Sequence, residues 1–574
     1  MAAALVAAAG FTVWLVTDFA KPFPHPEPRI YTAARIVTMN PAHPRAEAVA
    51  VADGNIVAVG SLEEVRAATV DLKPTIDSRF SEKVMMPGFI DPHLHPSLAA
   101  TILPLNIVSA MEWMTPRGRS KAVRGREAFL DRLRELNAAM QMTNSPSEWL
   151  LAWGYHEPYH GALSREDLDA VSSTRPIMVW QRSVHEMFFN TAGLASLGLT
   201  EEMVAAHEHA NWADGHLWET AVLTLAAPMM KILAWPPTYR EGLSMMRDVI
   251  HRGGLTTVAE QGFPQITSLG ELAMLHLEMR KPSTPFRFVL VPNAMYLVRT
   301  HGNADNARTA AADMLTRSTE RVRIVKHIKY YADGAIFSQL MQMSQAYLDG
   351  HHGEWMMPPD VQRSVLDAFW DQGWAFHIHV NGDAGLDLVL DQIEAKTEVG
   401  KASPRIVLEH YGYARHEQHE RVAKLGIDVS NNAYYLHELA PIYAQHGLGP
   451  ERAASISPLG GAARAGVPIS FHSDFPMAPA EPLTLVWVAV NRIASDGKVW
   501  GENQKLSLEL ALRAITIEAA RSLGLENEIG SIEVGKKADF TILERDPHDV
   551  PPHEIKDIPI WGTVLEGQPT PLQE

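Results

Sequence analysis

Cysteine is absent from all 574 residues. That excludes a disulfide framework, a thiolate metal site and a cysteine nucleophile. Any metal must then be held chiefly by His, Asp or Glu. Basic charge is in short supply: 50 Lys and Arg stand against 67 Asp and Glu, a net charge of -17. Nucleic acid and anionic membrane surfaces are therefore excluded as favoured partners. Internal repeats and low-complexity tracts are also missing. Long apolar runs are scarce, with one exception at the N-terminus. Residues 2–16 are almost wholly apolar and are closed by Asp18 and Lys21. The run is shorter than the roughly 20 residues a membrane span needs. It suits a signal-peptide core or a membrane anchor, although no basic residue precedes it. The expectation is an exported protein, periplasmic or membrane-anchored, with a linker ending at Pro28.

What is present is a globular chain with 46% apolar residues, enough for a large core. Short β-like runs lie at both ends. Residues 35–39, 48–51 and 56–59 are β-like, with Asp53-Gly54-Asn55 as a hairpin signal. Residues 538–543 and 562–567 are of the same kind. Together they predict a composite β-sandwich from residues 29–86 and 525–574.

Between these ends, eight apolar runs alternate with helical stretches. They are residues 88–95, 255–260, 286–291, 324–332, 375–380, 405–411, 427–430 and 468–474. Alternating strands and helices predict a (β/α)8 TIM-like barrel over residues 87–524. The first gap is far too long for a crossover, so residues 97–253 are read as an inserted subdomain over the barrel's active face. It should contain a helix over 125–140 and strands over 149–153 and 176–181.

Chemistry in such barrels gathers at the C-terminal ends of the strands. The first run ends in His93-Leu94-His95, two imidazoles that alternation turns to one side. The fourth carries Lys329 and ends in Asp333-Gly334; the fifth ends in His379 and reaches Asp383. The sixth ends in Glu409-His410 and the eighth in Ser473-Asp474. Each is a metal-compatible or acid/base group after an apolar run. For Lys329 the alternative is a salt bridge to Asp333; for Asp474 it is a helix N-cap. His377, His472 and Asp383 are read as supporting groups, and Glu260 and Gln261 as residues at the second strand's end.

Taken in order, these motifs resemble the amidohydrolase superfamily, in its amidohydrolase-3 branch of deformylase-like enzymes. The matches are Pro87-Gly-Phe-Ile-Asp-Pro-His-Leu-His95, Lys329 to Gly334, His379 to Asp383, Glu409-His410, Ser473-Asp474 and the tail from Gly530 to Phe540. The resemblance implies one or two divalent ions, zinc foremost. His93, His95 and Asp474 would hold one ion, and His379 and His410 a second. Lys329, carboxylated by carbon dioxide, would bridge them, and Asp474 would also be the catalytic acid/base. It further implies His185 as a substrate contact. Trp153 and Tyr155 are candidate lining for an apolar pocket.

The expected function is hydrolysis of an amide, N-acyl or formamide C–N bond in a small, fairly apolar molecule. A lactonase or esterase and a ring-amine deaminase are the enzymatic alternatives. An exported binding or regulatory protein with a silent site is the non-enzymatic one. The expected partners are a small-molecule substrate and further copies of the chain.

Overall fold

The computed structural model describes residues 25–141, 148–218, 220–265, 267–281, 284–397 and 403–573. The apolar segment behind the expectation of export or anchoring lies outside the described residues. Among those residues, no helix is long and apolar enough to cross a membrane. The chain divides into two compact units. One comprises Met1–His95 and Ile250–Glu574, the other Pro96–Val249.

The first unit is a mixed α/β structure built on parallel strands. They are β1 (Phe89–Leu94), β2 (Leu255–Phe263), β3 (Arg287–Pro292), β4 (Val322–Ile324), β5 (His327–Tyr331), β6 (Ala375–Val380), β7 (Ile406–His410), β8 (Asp428–Asn431) and β9 (Ile469–Phe471). Helices follow them, among them Ala304–Leu315, Pro359–Phe369, Asp383–Lys396 and His416–Lys424. The strands are buried almost throughout, as parallel strands covered by helices must be.

They form two sheets, ordered β4-β3-β2-β1 and β5-β6-β7-β8-β9. At one seam Asn293 and Lys329 form a parallel bridge. At the other, Asp474 N donates to His93 O at 2.9 Å and His95 N donates to Phe475 O at 2.8 Å. The fourth expected strand is thus found in two pieces, broken between Ile324 and His327. Gly88 is required where the chain enters β1, because a Cβ there would stand 2.0 Å from Thr256 Oγ1.

The two chain ends form one composite β structure, its strands hydrogen-bonded in a single order that folds back on itself, with Asn55 bridging Lys537. Its strand order is Gln568–Pro571, Ile560–Leu565, Phe540–Leu543, Thr75–Pro87, Arg29–Val37, Arg45–Ala52, Asn55–Gly60. Its spine is the 13-residue strand Thr75–Pro87. It pairs parallel with Arg29–Val37 on one side and antiparallel with Phe540–Leu543 on the other. Tyr31, Phe80, Phe540, Ile542 and Val564 pack into its core.

The second unit has its own core, around Phe129, Leu133, Tyr155, Ile177, Val179 and Phe188. The helix is Arg126–Gln141, and Leu150–Tyr155 pairs parallel with Ile177–Gln181.

A buried charge cluster ties the end sheet to the parallel strands. Arg287 on β3 donates to Asp539 through both terminal nitrogens, and Nη2 also reaches Glu566 Oε1 at 3.0 Å. Burial opposes the guanidinium charge, but the two carboxylates raise its pKa overall. Removing one partner of a buried pair leaves an uncompensated charge and costs about 3–5 kcal/mol. Asp539→Ala is therefore expected to lower stability by that amount, read as a fall in the urea unfolding midpoint. An unchanged midpoint would show that the cluster does not hold the two parts together.

Candidate metal centre

The site assembles at the C-terminal ends of the parallel strands. On β5, His327, Lys329 and Tyr331 share the inward face. In register with them, His377 and His379 share the inward face of β6. On β7 the inward residue is Glu409, so plain alternation would turn His410 away. His410 reaches the site because the backbone turns there, with φ of 74° at His410 and 49° at Tyr411. Asn431 Nδ2 donates to His410 O at 2.6 Å and holds this left-handed turn.

Asp474 lies beyond the end of β9 and also has positive φ, 57°. Asp91 fixes that loop: its carboxylate accepts from Ser473 Oγ at 2.5 Å and from Ser473 N at 3.2 Å. The next helix begins at Pro482, so Asp474 caps no helix.

The structure brings most of the expected ligands together. Nitrogens of His93 and His95 and an oxygen of Asp474 lie within 4.8 Å of one another. Asp474 Oδ1 is 3.1 Å from His95 Nε2 and 3.5 Å from His93 Nε2. A second group within the same limit is His93, His410 and His472. His472, expected as a supporting group, thus stands at ligand distance. The His379 and His410 rings are 4.2 Å apart, and Tyr331 is 5.7 Å from His379.

Lys329 is fully buried, and its Nζ has no hydrogen-bond partner among the described residues. The alternative of a bridge to Asp333 does not form. The Asp333 carboxylate instead accepts from the amides of Gln342, Asn381 and Gly382 at 2.8–2.9 Å. It thereby fixes the loop after His379. Gly385 is needed there, since a Cβ would stand 2.8 Å from Asp333 Oδ2. Asp383 turns to Ser344 N and Arg415, as a supporting residue.

Three carboxylates support the imidazoles. Glu409 Oε2 lies 2.8 Å from His93 Nδ1, and Glu260 Oε1 lies 2.7 Å from His95 Nδ1. The third is Asp474 itself. Glu260 was legible only as the end of β2, and Glu409 only as half of the Glu-His pair. Their function follows from long-range pairing, which no local pattern encodes. Tyr435 OH meets His410 Nδ1 at 2.8 Å.

These residues fit a cation. Burial opposes a charge on His95, yet Glu260 and Asp474 raise its pKa to about 10. Burial lowers Lys329 to about 8 and His472 to about 3, and holds His93 and His410 well below the usual histidine value. The nitrogens of His410 Nε2 and His472 Nε2 are buried without hydrogen-bond partners. His93, His410 and His472 therefore offer neutral imidazole lone pairs beside three carboxylates, with His95 and one amine to balance the charge. That is the donor chemistry of a divalent-ion site.

The expected substrate contacts lie in the second unit. Tyr155 is a core residue there: it is 1% exposed, and its hydroxyl donates to Gly161 O at 2.7 Å. Trp153 is buried and packs edge-on against Trp113, with ring centres 5.2 Å apart. His185 is half-buried, and its amide donates to Ser183 Oγ at 3.3 Å.

Comparison with known proteins bears on the same residues. The amidohydrolase family model matches residues 81–571. N-substituted formamide deformylase of Arthrobacter pascens is 24% identical over 552 residues, covering 93% of this chain and 96% of that protein. Protein LONG AFTER FAR-RED 3 of Arabidopsis thaliana is 25% identical over 536 residues, covering 91% and 88%. An uncharacterized metal-dependent hydrolase from Pyrococcus horikoshii OT3 shares the fold, with a TM-score of 0.70 at 20% identity over 92% of this chain and 99% of that one. The chain belongs to the amidohydrolase family and is a hydrolase.

Proposed function

We propose that this hydrolase cleaves an amide, N-acyl or formamide C–N bond of a small, fairly apolar substrate, with one or two divalent ions bound at the strand ends. The observation that carries this reading is the convergence of His93, His95 and Asp474 within 4.8 Å. Its frame is read as one closed eight-stranded barrel. The Asn293–Lys329 bridge and the bonds from Asp474 and His95 support closure at the two seams.

His93, His95 and Asp474 would hold the first ion, zinc being the best match for imidazole and carboxylate. His379 and His410 would hold the second. A divalent ion, when bound, acidifies water and polarises a carbonyl. Asp474 takes the proton of the attacking water through a carboxylate oxygen. As the carbon–nitrogen bond breaks, Asp474 returns that proton to the leaving nitrogen. Glu260 and Glu409 keep the Nδ1 protons of His95 and His93, which leaves each Nε2 lone pair toward Asp474.

Lys329 would carry a carboxylate as a carbamate and bridge the two ions. An ammonium there meets the face of the Tyr331 ring, 5.5 Å from its centre, but no hydrogen-bond acceptor among the described residues. Burial lowers its pKa to about 8, which favours the neutral amine that reacts with carbon dioxide. The formamide preference rests on the deformylase relative. Export or membrane anchoring, and assembly into oligomers, remain proposals of the sequence.

Chelator treatment should abolish hydrolysis across a panel of formamides, N-acyl amino acids and lactones, and zinc should restore it. Restored turnover of lactones alone would remove the amide reading. Asp474→Asn should lower kcat by about 100- to 10,000-fold, with zinc content falling far less. Normal turnover in that variant would take Asp474 out of the proton transfers. In stripped protein, uptake of a second zinc should require bicarbonate, and that uptake should quicken as pH rises through 8, where the amine of Lys329 loses its proton. Lys329→Met should bind one zinc at any bicarbonate concentration. Two ions in that variant would exclude the bridge.

A further inference from the structure

A column of polar side chains runs through the interior of the parallel strands, where apolar side chains would ordinarily fill the space. His93 Nδ1 meets Glu409 Oε2 at 2.8 Å. The other oxygen of Glu409, Oε1, meets His377 Nδ1 at 2.6 Å. His377 Nε2 meets His327 Nδ1 at 3.0 Å, with the two rings stacked. His93, His377 and Glu409 are at most 1% exposed.

The far end opens at the opposite, N-terminal end of the strands. His327 is 9% exposed and begins β5, beside the break after Ile324. It borders a cavity of about 370 Å³ lined also by Leu315, Lys326, Ala375 and Gly524. Its Nε2 lies 3.5 Å from where a Cβ of Gly524 would stand, so that nitrogen faces the cavity.

The direction of the bonds follows from donor counting. A carboxylate only accepts, so Glu409 takes an N–H from His93 and another from His377. The 2.6 Å contact to the carboxylate outweighs Gln261 Nε2, which lies 3.1 Å from the same nitrogen and donates to Pro92 O at 2.9 Å. His377 is fully buried and meets a single carboxylate, Glu409, while the hydrogen bond of His327 goes to His377 alone among the described residues, so neither ring has the partners to hold a second proton and each carries one N–H. His377 Nε2 must then accept, and His327 Nδ1 must donate to it. His327 Nε2 is left as an acceptor, turned to the one place where an outside donor can satisfy it.

We propose that His327 and His377 are positioning residues: through Glu409 they lock His93 in the Nδ1–H tautomer, with Nε2 fixed toward the metal centre. The column then acts as one unit, because each ring's tautomer is dictated by the next. A change at the cavity end is felt three hydrogen bonds away. The inference goes beyond the proposed reaction, since it concerns protons and zinc affinity and holds whatever the substrate.

The test uses the full-length, zinc-loaded chain. Neutron diffraction should show deuterons on Nδ1 of His93, His377 and His327, and none on His327 Nε2. His327→Phe removes the donor and should raise the zinc dissociation constant, measured by chelator competition, about tenfold. His327→Asn keeps an N–H at the same place and should stay within about twofold of the unmodified chain. Ile328→Ala on the same strand has the opposite side-chain direction; it should lower thermal stability and leave zinc affinity unchanged. A deuteron on His327 Nε2 with none on Nδ1 would overturn the proposal. So would equal loosening of zinc by His327→Phe and Ile328→Ala. If His327→Phe does not fold, the deuteron positions and His327→Asn decide: a tenfold loss with the amide in place also overturns it.

Discussion

Three carboxylates meet where the parallel strands end, and two of them are shut off from water. Glu260 and Glu409 are fully buried and Asp474 is 7% exposed, while Lys329 supplies the one buried amine among them. Burying charge is costly unless it is paired. In the chain alone the balance falls on His95, whose pKa rises to about 10 between Glu260 and Asp474. A proton there and a divalent ion nearby answer the same electrostatic demand. The acids that make the site expensive to fold are thus the ones that make it selective for a cation. The other imidazoles, His93, His410 and His472, are pushed the opposite way by burial and keep lone pairs for ligation.

Holding these groups needs a frame that does not relax. The frame is mostly backbone. Asp333 accepts three amides and Asp91 pins Ser473, so two buried acids serve as clamps and not as ligands. Burial raises both to about 7, which shows how strongly the interior resists their charge. Asp91 also steadies the unfavourable backbone at Asp474, and Asn431 does the same at His410, both residues lying in the left-handed region. Non-glycine residues persist there only when the surroundings over-determine them.

How far the sequence could be read follows from the range of each interaction. Strand alternation is local, so His93 with His95, Lys329, and His379 were legible as inward groups at strand ends. Asp474 was legible as the polar end of the last run. The direction of His410 was not, because a positive φ reverses the parity that alternation assigns. The partnerships of Glu409 with His93 and of Glu260 with His95 span 316 and 165 residues, beyond any periodic pattern. The fourth strand's break is invisible in a continuous apolar run. The central strand of the composite β structure, Thr75–Pro87, escaped notice because it has mixed exposed and buried residues and little alternation over its first half. Tyr155 looked like pocket lining because it is aromatic and follows a strand; its ring proved to be core of the second unit.

The division of the chain sharpens what family membership explains. His93, His95, Lys329, His379, His410, His472 and Asp474 all belong to one compact unit, as do Glu260, Glu409, His377 and His327. The charge balance, the clamps and the imidazole column are therefore complete within it. Pro96–Val249 forms a separate core from its own helix and strands. Chemistry set by strand register tolerates little change, since a one-residue slip turns every inward group outward. Segments outside that register are free to vary in shape without moving a ligand. The buried cluster of acids and imidazoles is in that sense separable from Pro96–Val249, and it is written into the strand register of the first unit's core.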